Sequence, residues 1–485
     1  MAHLDVPHLG VARLGVPHLL AACKPFSKKS RYYSIVKMVK SHSLILRHLS
    51  LVLLLFTANL QAQPELASYT DGIYRDYIRS VKMHVNGLAL TMPIAPLGTM
   101  GSVYLSFDEL DGQGTRYYYT VIHCDKNWVP TRELSQFEYM SGYSEGEIQD
   151  YDLSSGTYQK YVHYKLALPN DDVNWKISGN YLLVVYEAGE ETNPIITRRF
   201  LVSDERLKIE GNVVRAANVE KQNTSQEVDF KLEISQLRST NPRMELSCTI
   251  LQNGRWDNAL REVGPRLVTG DFLNYDYTNV LVFPAGKEFR DMDISSMIYR
   301  SADVLDIHEF HGGYSTILYP VKPRFNSVYI LNQDLNGRFV PYNRDFTRRQ
   351  IPPDSLASTL NLIVRYTYRE QFLSTDYTEV LITLETEKRD RDVYVVGGMT
   401  DFKLLPEYKM VYDDRINAYT GRMYLKQGYY NYEFAVPDKN GNPDFEPLEG
   451  NWYAAENQYT LLCYFRPRGG QYDQLVGTRT FNSIY

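Results

Sequence analysis

From Ser102 onward, the apolar runs of this chain alternate with polar residues at a period of two. SVYLSFDEL (102–110), TRYYYTVIHC (115–124), YVHYKLALP (161–169), GNYLLVVYEAG (179–189) and TRRFLVS (197–203) all show it, and all are rich in Tyr, Val or Leu. Alternation places successive side chains on opposite faces of a strand, whereas a helix needs a repeat near 3.6. Turn dipeptides such as Asp111-Gly112 cut the runs into short pieces. Short strands at close spacing predict an all-β fold of tandem β-sandwiches rather than a sheet with crossover helices. The 40 tyrosines against 19 phenylalanines agree, because a tyrosine packs its ring into a sheet while its hydroxyl reaches water. Helices are expected only as short pieces, at 133–139 and 353–358.

The pauses in the pattern divide the chain. A first sandwich is read over 64–204, where TRRFLVS ends in Asp204-Glu205-Arg206 and LKIEGNVVRAA begins at once. A second β region, with QEVDFKLEIS, MELSCTILQN, NVLVFPA, SVYILNQDLNGRFV, NLIVRYTYRE and EVLITLETE, is read over 205–388. The charged run from Glu385 to Asp392 reads as a solvated linker or strand end, and a third sandwich is expected over 389–485.

Residues 38–62 read as an export signal: Lys40 and Arg47, an apolar run from Leu44 to Phe56, and the small polar stretch ending in Ala62. These are the three parts of a secretory signal peptide, and the run is shorter than the roughly 20 residues of a membrane span. Cleavage is expected after Ala62, which directs the protein to the periplasm of a two-membrane cell. The imperfect pentapeptide repeat before Met38 (HLDVP HLGVA RLGVP HLLAA) has no folding period, and translation is expected to start at Met38. The first 62 residues hold eight basic residues and one acidic, so the remainder has 44 basic and 57 acidic residues and a net charge of −13. That balance argues against nucleic acid as a partner, since phosphate binding needs a basic face. Past the leader, Cys124, Cys248 and Cys463 are widely spaced and flanked by β-forming residues, and buried free thiols are expected.

The inventory of reactive groups points away from catalysis. Five histidines follow the leader (His84, His123, His163, His308 and His311), none in HExxH, so no zinc site is expected. His308-Glu309-Phe310-His311-Gly312-Gly313 reads as a Gly-Gly turn, since no GxSxG elbow accompanies it. The runs Asp334–Arg338 and Asp438–Asp444 space oxygens like a calcium loop, but the glycine stands at position four rather than six, and Asn-Gly is a hairpin signal. No catalytic residue, cofactor or metal site is read from the sequence, and no enzyme is expected.

Several stretches in order, LSFDELDGQGTRYYYTVIHCDKNW (105–128), LSQFEYMSGY (134–143), YVHYKLALPNDD (161–172), SGNYLLVVYE (178–187), ILQNGRWDNA (250–259), FPAGKEFRDMDI (283–294) and LNQDLNGRF (331–339), resemble the type IX secretion system plug protein family of Bacteroidetes. The resemblance implies a non-enzymatic gate that docks on the periplasmic side of the SprA-type outer-membrane translocon barrel and seals its pore. It implies no membrane insertion and no small-molecule substrate, and it transfers no functional residues. Within these stretches Arg255, Trp256, Arg338 and Phe339 are the candidate partner-binding residues. Arg255 and Arg338 follow glycines in turn-like settings, and contact hot spots favour Trp and Arg. From VYVVGGMTDF to GYYNYEF the chain resembles the early-set immunoglobulin-like modules beside carbohydrate-active enzymes. The alternative is therefore a periplasmic glycan-binding protein using that module, although Trp452 is its only tryptophan.

Overall fold

The computed structural model describes Leu66, residues 68–110, Gly112, and residues 114–345 and 372–483. The leader, the expected helix at 353–358 and the expected strand at 361–370 lie outside the described residues.

The first sandwich closes within residues 72–203. One sheet orders Gly72–Ile73, Ile196–Ser203, Gly179–Glu187, Tyr117–Cys124 and Gly146–Glu147, with Ile94–Pro96 parallel to Ile196–Ser203; the other orders Ile78–Val85, Val103–Glu109, Val162–Leu168 and Asp150–Leu153. Between them pack Phe107, Tyr117, Val121, Tyr164, Trp175, Leu183 and Phe200. The strand Gly179–Glu187 is buried along nearly its whole length. Its odd positions Tyr181, Leu183 and Val185 enter this core, while Leu182, Val184 and Tyr186 enter a second core behind the sheet. Period two is thus kept with both faces dry. Each fully buried side chain of this size contributes roughly 1.5–3 kcal/mol.

That second core joins the first sandwich to the next one, where Leu251, Leu462, Tyr464 and Leu475 supply the opposing face. Polar contacts pin the same junction: Tyr464 Oη donates to Asn180 Oδ1 at 2.8 Å, and Lys126 N donates to Asp473 Oδ2 at 3.0 Å.

The second sandwich is discontinuous in sequence. One sheet runs Lys208–Arg215, Ser225–Glu233, Phe272–Asn274 and Leu267–Thr269; the other runs Leu260–Val263, Leu246–Gln252, Gln458–Phe465 and Gln474–Asn482. The last two strands lie more than 200 residues beyond their partner, and the described residues of the intervening stretch 286–457 fold as the third sandwich. Its sheets centre on Gly428–Pro437, paired with Arg290–Asp293 and Phe339–Pro341, and on Tyr377–Leu384, paired with Ala418–Lys426. The sheets therefore cross the boundary read at 388 and 389. The charged run there is a largely exposed turn between two strands of one sandwich, and its solvation reflects a loop rather than a linker.

Two further expectations are corrected locally. SVYIL (327–331) has the β-forming residues of a strand but enters none among the described residues: Tyr329 turns inward to Glu288 and the carbonyl of Ala454, leaving Val328, Ile330 and Leu331 exposed. Short helices form at Gln136–Tyr139, as expected, and also at Pro242–Glu245 and Glu446–Glu449, which the sequence reading missed.

Cys124, Cys248 and Cys463 are buried free thiols. Cys248 and Cys463 are direct partners across antiparallel strands, with their sulfurs 3.4 Å apart. Opposed residues in such a ladder have Cα atoms about 4.5–5.5 Å apart, inside the disulfide range. Refolding with oxidised glutathione is expected to join them, each formed disulfide releasing two protons and passing two electrons to glutathione. Peptide mapping without reductant checks this: both cysteines recovered as free, alkylatable thiols from correctly folded protein would contradict it.

Candidate functional site

The four candidate partner-binding residues, far apart in sequence, all line one cleft where the three sandwiches meet, a cavity of about 690 Å³. Arg255 and Trp256 leave the end of Leu246–Gln252 through Asn253 and Gly254, both in the left-handed region (φ 54° and 73°). Asn253 fixes this reversal by donating to Asn457 Oδ1 at 2.8 Å and accepting from Gln458 N at 2.9 Å. A Cβ on Gly254 would sit 3.3 Å from both Arg338 Nη2 and Met92 Cγ, so the glycine lets the turn approach the Arg338 side chain.

The four residues differ in what they present. Arg255 is buried, holds Asp257 through two bonds of 3.1 and 2.5 Å, and lies over Phe402 and Phe445 with its guanidinium carbon 5.3 and 4.6 Å from the ring centres. Phe339 is buried in the third sandwich, stacked on Tyr430 at 5.2 Å. Its carbonyl accepts at 2.5 Å from Nζ of Lys82, a residue that also lines the cleft. Trp256 is half-buried and sets its ring edge-on to Trp128 at 5.1 Å. Arg338 donates Nη2 to Gln458 Oε1 at 3.3 Å, and burial pushes its pKa down to about 10.

The sequence reading missed Lys82, Arg199 and Arg261. Lys82 comes from the first sandwich and lies 4.9 Å from the Phe339 ring centre; burial, together with the charge on Arg338, pushes its pKa down to about 8. Arg199 stacks over Trp128 at 4.5 Å, donates to the Tyr69 carbonyl, and is lowered by burial to about 10. Arg261 lies 5.3 Å from the Trp256 ring centre and donates to that residue's carbonyl, and burial lowers its pKa too. Lys82 and Arg199 reach the cleft only through the docking of the sandwiches, whereas Arg261 stands five residues beyond Trp256 on the same sandwich.

The other sequence candidates are used locally. His308 stands exposed beside Asp306 in the strand leading to the Gly312-Gly313 turn. Asp334 and Asp438 accept from backbone N–H groups of their own loops, at Asn336 and at Asn440 and Asn442. Among the described residues, no cluster of three or more His, Cys, Asp or Glu side chains is placed to hold a metal ion.

A family model described as the Type 9 secretion system plug protein 1st domain matches residues 78–204, which is nearly all of the first sandwich. A crystal structure of a hypothetical protein from Parabacteroides merdae ATCC 43184 is similar over 86% of this chain and 100% of its own, at 30% identity and a TM-score of 0.77. No curated protein matches the chain. The first sandwich carries the family's own domain, the all-β architecture agrees, and the chain belongs to the type IX secretion system plug protein family.

Proposed function

We propose that this protein is a non-enzymatic plug that docks on the periplasmic side of an SprA-type outer-membrane translocon and seals its pore. The observation that carries the reading is the family match on the first sandwich. Physical features of the molecule support it. A pore wide enough for folded cargo needs a broad, rigid cover. Here the first sandwich is fixed to the second by a shared apolar core and to the third by buried polar contacts. Val328, Ile330 and Leu331, between 66 and 86% exposed, add an apolar stretch of the kind that marks contact surfaces.

The glycan-binding alternative receives less support. Trp452 is stacked on Tyr329 at 5.9 Å, and Arg215 lies over Tyr453 at 4.2 Å, so these ring faces already have neighbours. A pull-down from detergent-solubilised membranes, with an affinity tag at the C-terminus and the eluate identified by mass spectrometry, tests the proposal. Recovery of a very large outer-membrane barrel is expected; recovery of glycan fragments or glycan-handling proteins alone would replace it with the alternative.

A further inference from the structure

We infer that the cleft between the three sandwiches is a receptor for an acidic peptide segment of a protein partner. This deepens the docking reading and rests on it for the protein nature of the ligand. Seven Lys and Arg residues and three Asp line the cavity, in a chain whose net charge is negative. Two of the aspartates are committed, Asp257 to Arg255 and Asp401 to Arg198 at 3.1 Å; the third, Asp71, accepts from the backbone N–H of Arg199.

Lys82, Arg199, Arg261 and Arg338 remain with no carboxylate within ion-pair distance among the described residues. Their hydrogen bonds go to the carbonyls of Phe339, Tyr69 and Trp256 and to the Gln458 amide. Removing cations from water without an anion is costly, and their depressed pKa values, caused first by burial, report that cost. An incoming carboxylate would offset it.

A second observation points the same way. The Trp128 indole N–H, on a side chain only 2% exposed that lines the cavity, has no hydrogen-bond acceptor among the described residues. Indole nitrogen only donates, so it too calls for an acceptor oxygen. Apolar Met92, Phe402 and Leu405 line the same space. A bare inorganic anion has nothing to place against them, whereas a peptide with carboxylates between apolar residues does. Arginine forks suit carboxylates, and stacking on tryptophan holds two of them ready.

The test uses the purified chain and acetyl-hexaglutamate-amide as probe, with acetyl-hexaglutamine-amide and inorganic phosphate as comparisons. Trp128 and Trp256 report binding by their fluorescence. Saturable binding of hexaglutamate, weakened by salt and undetectable for hexaglutamine, is expected. Lys82→Met and Arg261→Gln should each weaken it about tenfold, the effect of about 1.4 kcal/mol, while Arg415→Gln, at an exposed position in the turn before Ala418–Lys426 that does not line the cleft, leaves it unchanged. Thermal melting of each variant separates lost binding from lost folding, and Arg261→Gln, at a half-buried position, provides the second readout if Lys82→Met does not fold. Absence of saturable hexaglutamate binding, equal binding by the cleft variants, or phosphate binding that hexaglutamate does not displace would each overturn the inference. Failure of the pull-down with hexaglutamate binding intact overturns the docking reading alone. Recovery of the barrel equally by wild type and by a folded Lys82→Met/Arg261→Gln double variant overturns the cleft as the contact.

Discussion

Asp108→Asn is expected to lower the unfolding free energy by about 3–5 kcal/mol, the cost of leaving a buried charge without its partner. Asp108 is fully buried on the first sandwich strand Val103–Glu109. One carboxylate oxygen meets His163 Nδ1 at 2.6 Å; the other accepts from Lys426 Nζ at 2.7 Å and from Tyr377 Oη at 2.6 Å. Lys426 and Tyr377 belong to the third sandwich, so one carboxylate ties two sandwiches together. Lys426 is dry as well, with its ammonium 4.0 and 4.4 Å from the ring centres of Tyr161 and Phe372. Asparagine removes the counter-charge and turns one acceptor into a donor facing donors. Lys426→Met should cost a similar amount, and the double variant less than the sum of the two singles, because their effects are coupled. Denaturant unfolding of the four proteins measures the cycle; a loss below about 1 kcal/mol for Asp108→Asn would show that the site rehydrates instead. Burial raises the Asp108 pKa, but Lys426 and His163 outweigh it and hold the carboxyl below its ordinary 3.8. A depressed carboxyl pKa makes its contribution complete above the unfolded value and loses it as pH falls through the lower folded value.

What the chain disclosed follows from how far each relation reaches along it. Alternation is local, and the strands of the first sandwich fall where it placed them, Tyr117–Cys124 within TRYYYTVIHC and Gly179–Glu187 within GNYLLVVYEAG. Which face meets which core is not local: Leu182 and Leu183 are equally apolar, and only the docked second sandwich separates their roles. Nor does MELSCTILQN reveal that its partner is Gln458–Phe465, because a period states orientation and not pairing. SVYIL is a continuous apolar run that pairs with no strand among the described residues, so Val328, Ile330 and Leu331 stay in water. The cleft was legible in part: glycine-preceded arginines marked two turns that do face it, while Phe339 is held by its own core. Lys82 and Arg199 sit on the first sandwich, and no local pattern along the chain places them opposite turns of the second and third.

The third sandwich contains two buried glutamates whose replacement is expected to act in opposite directions. Glu449 accepts from Arg290 Nε at 2.9 Å, Arg324 Nε at 2.7 Å and the Phe434 backbone N–H at 3.0 Å. Burial opposes its charge, but the two arginines prevail and its pKa is lowered. Glu433 is buried near it, and Arg324 Nη2 lies 3.8 Å away, too long for a hydrogen bond. With Arg324 committed to Glu449, burial and the neighbouring Glu449 charge push Glu433 up to about 8. Glu449→Gln strands two guanidinium groups and should cost about 3–5 kcal/mol. For Glu433 the folded form binds a proton that the unfolded chain has released, so stability falls as pH rises from the ordinary 4.5 to about 8. Glutamine imitates the protonated acid, and Glu433→Gln should therefore flatten that decline and leave the variant more stable than the parent at pH 9. Melting temperatures of parent and both variants between pH 5 and 9 decide the matter. A Glu433→Gln protein that loses stability at pH 9 as Glu449→Gln does would show that both carboxylates are charged and that the two arginines are shared between them.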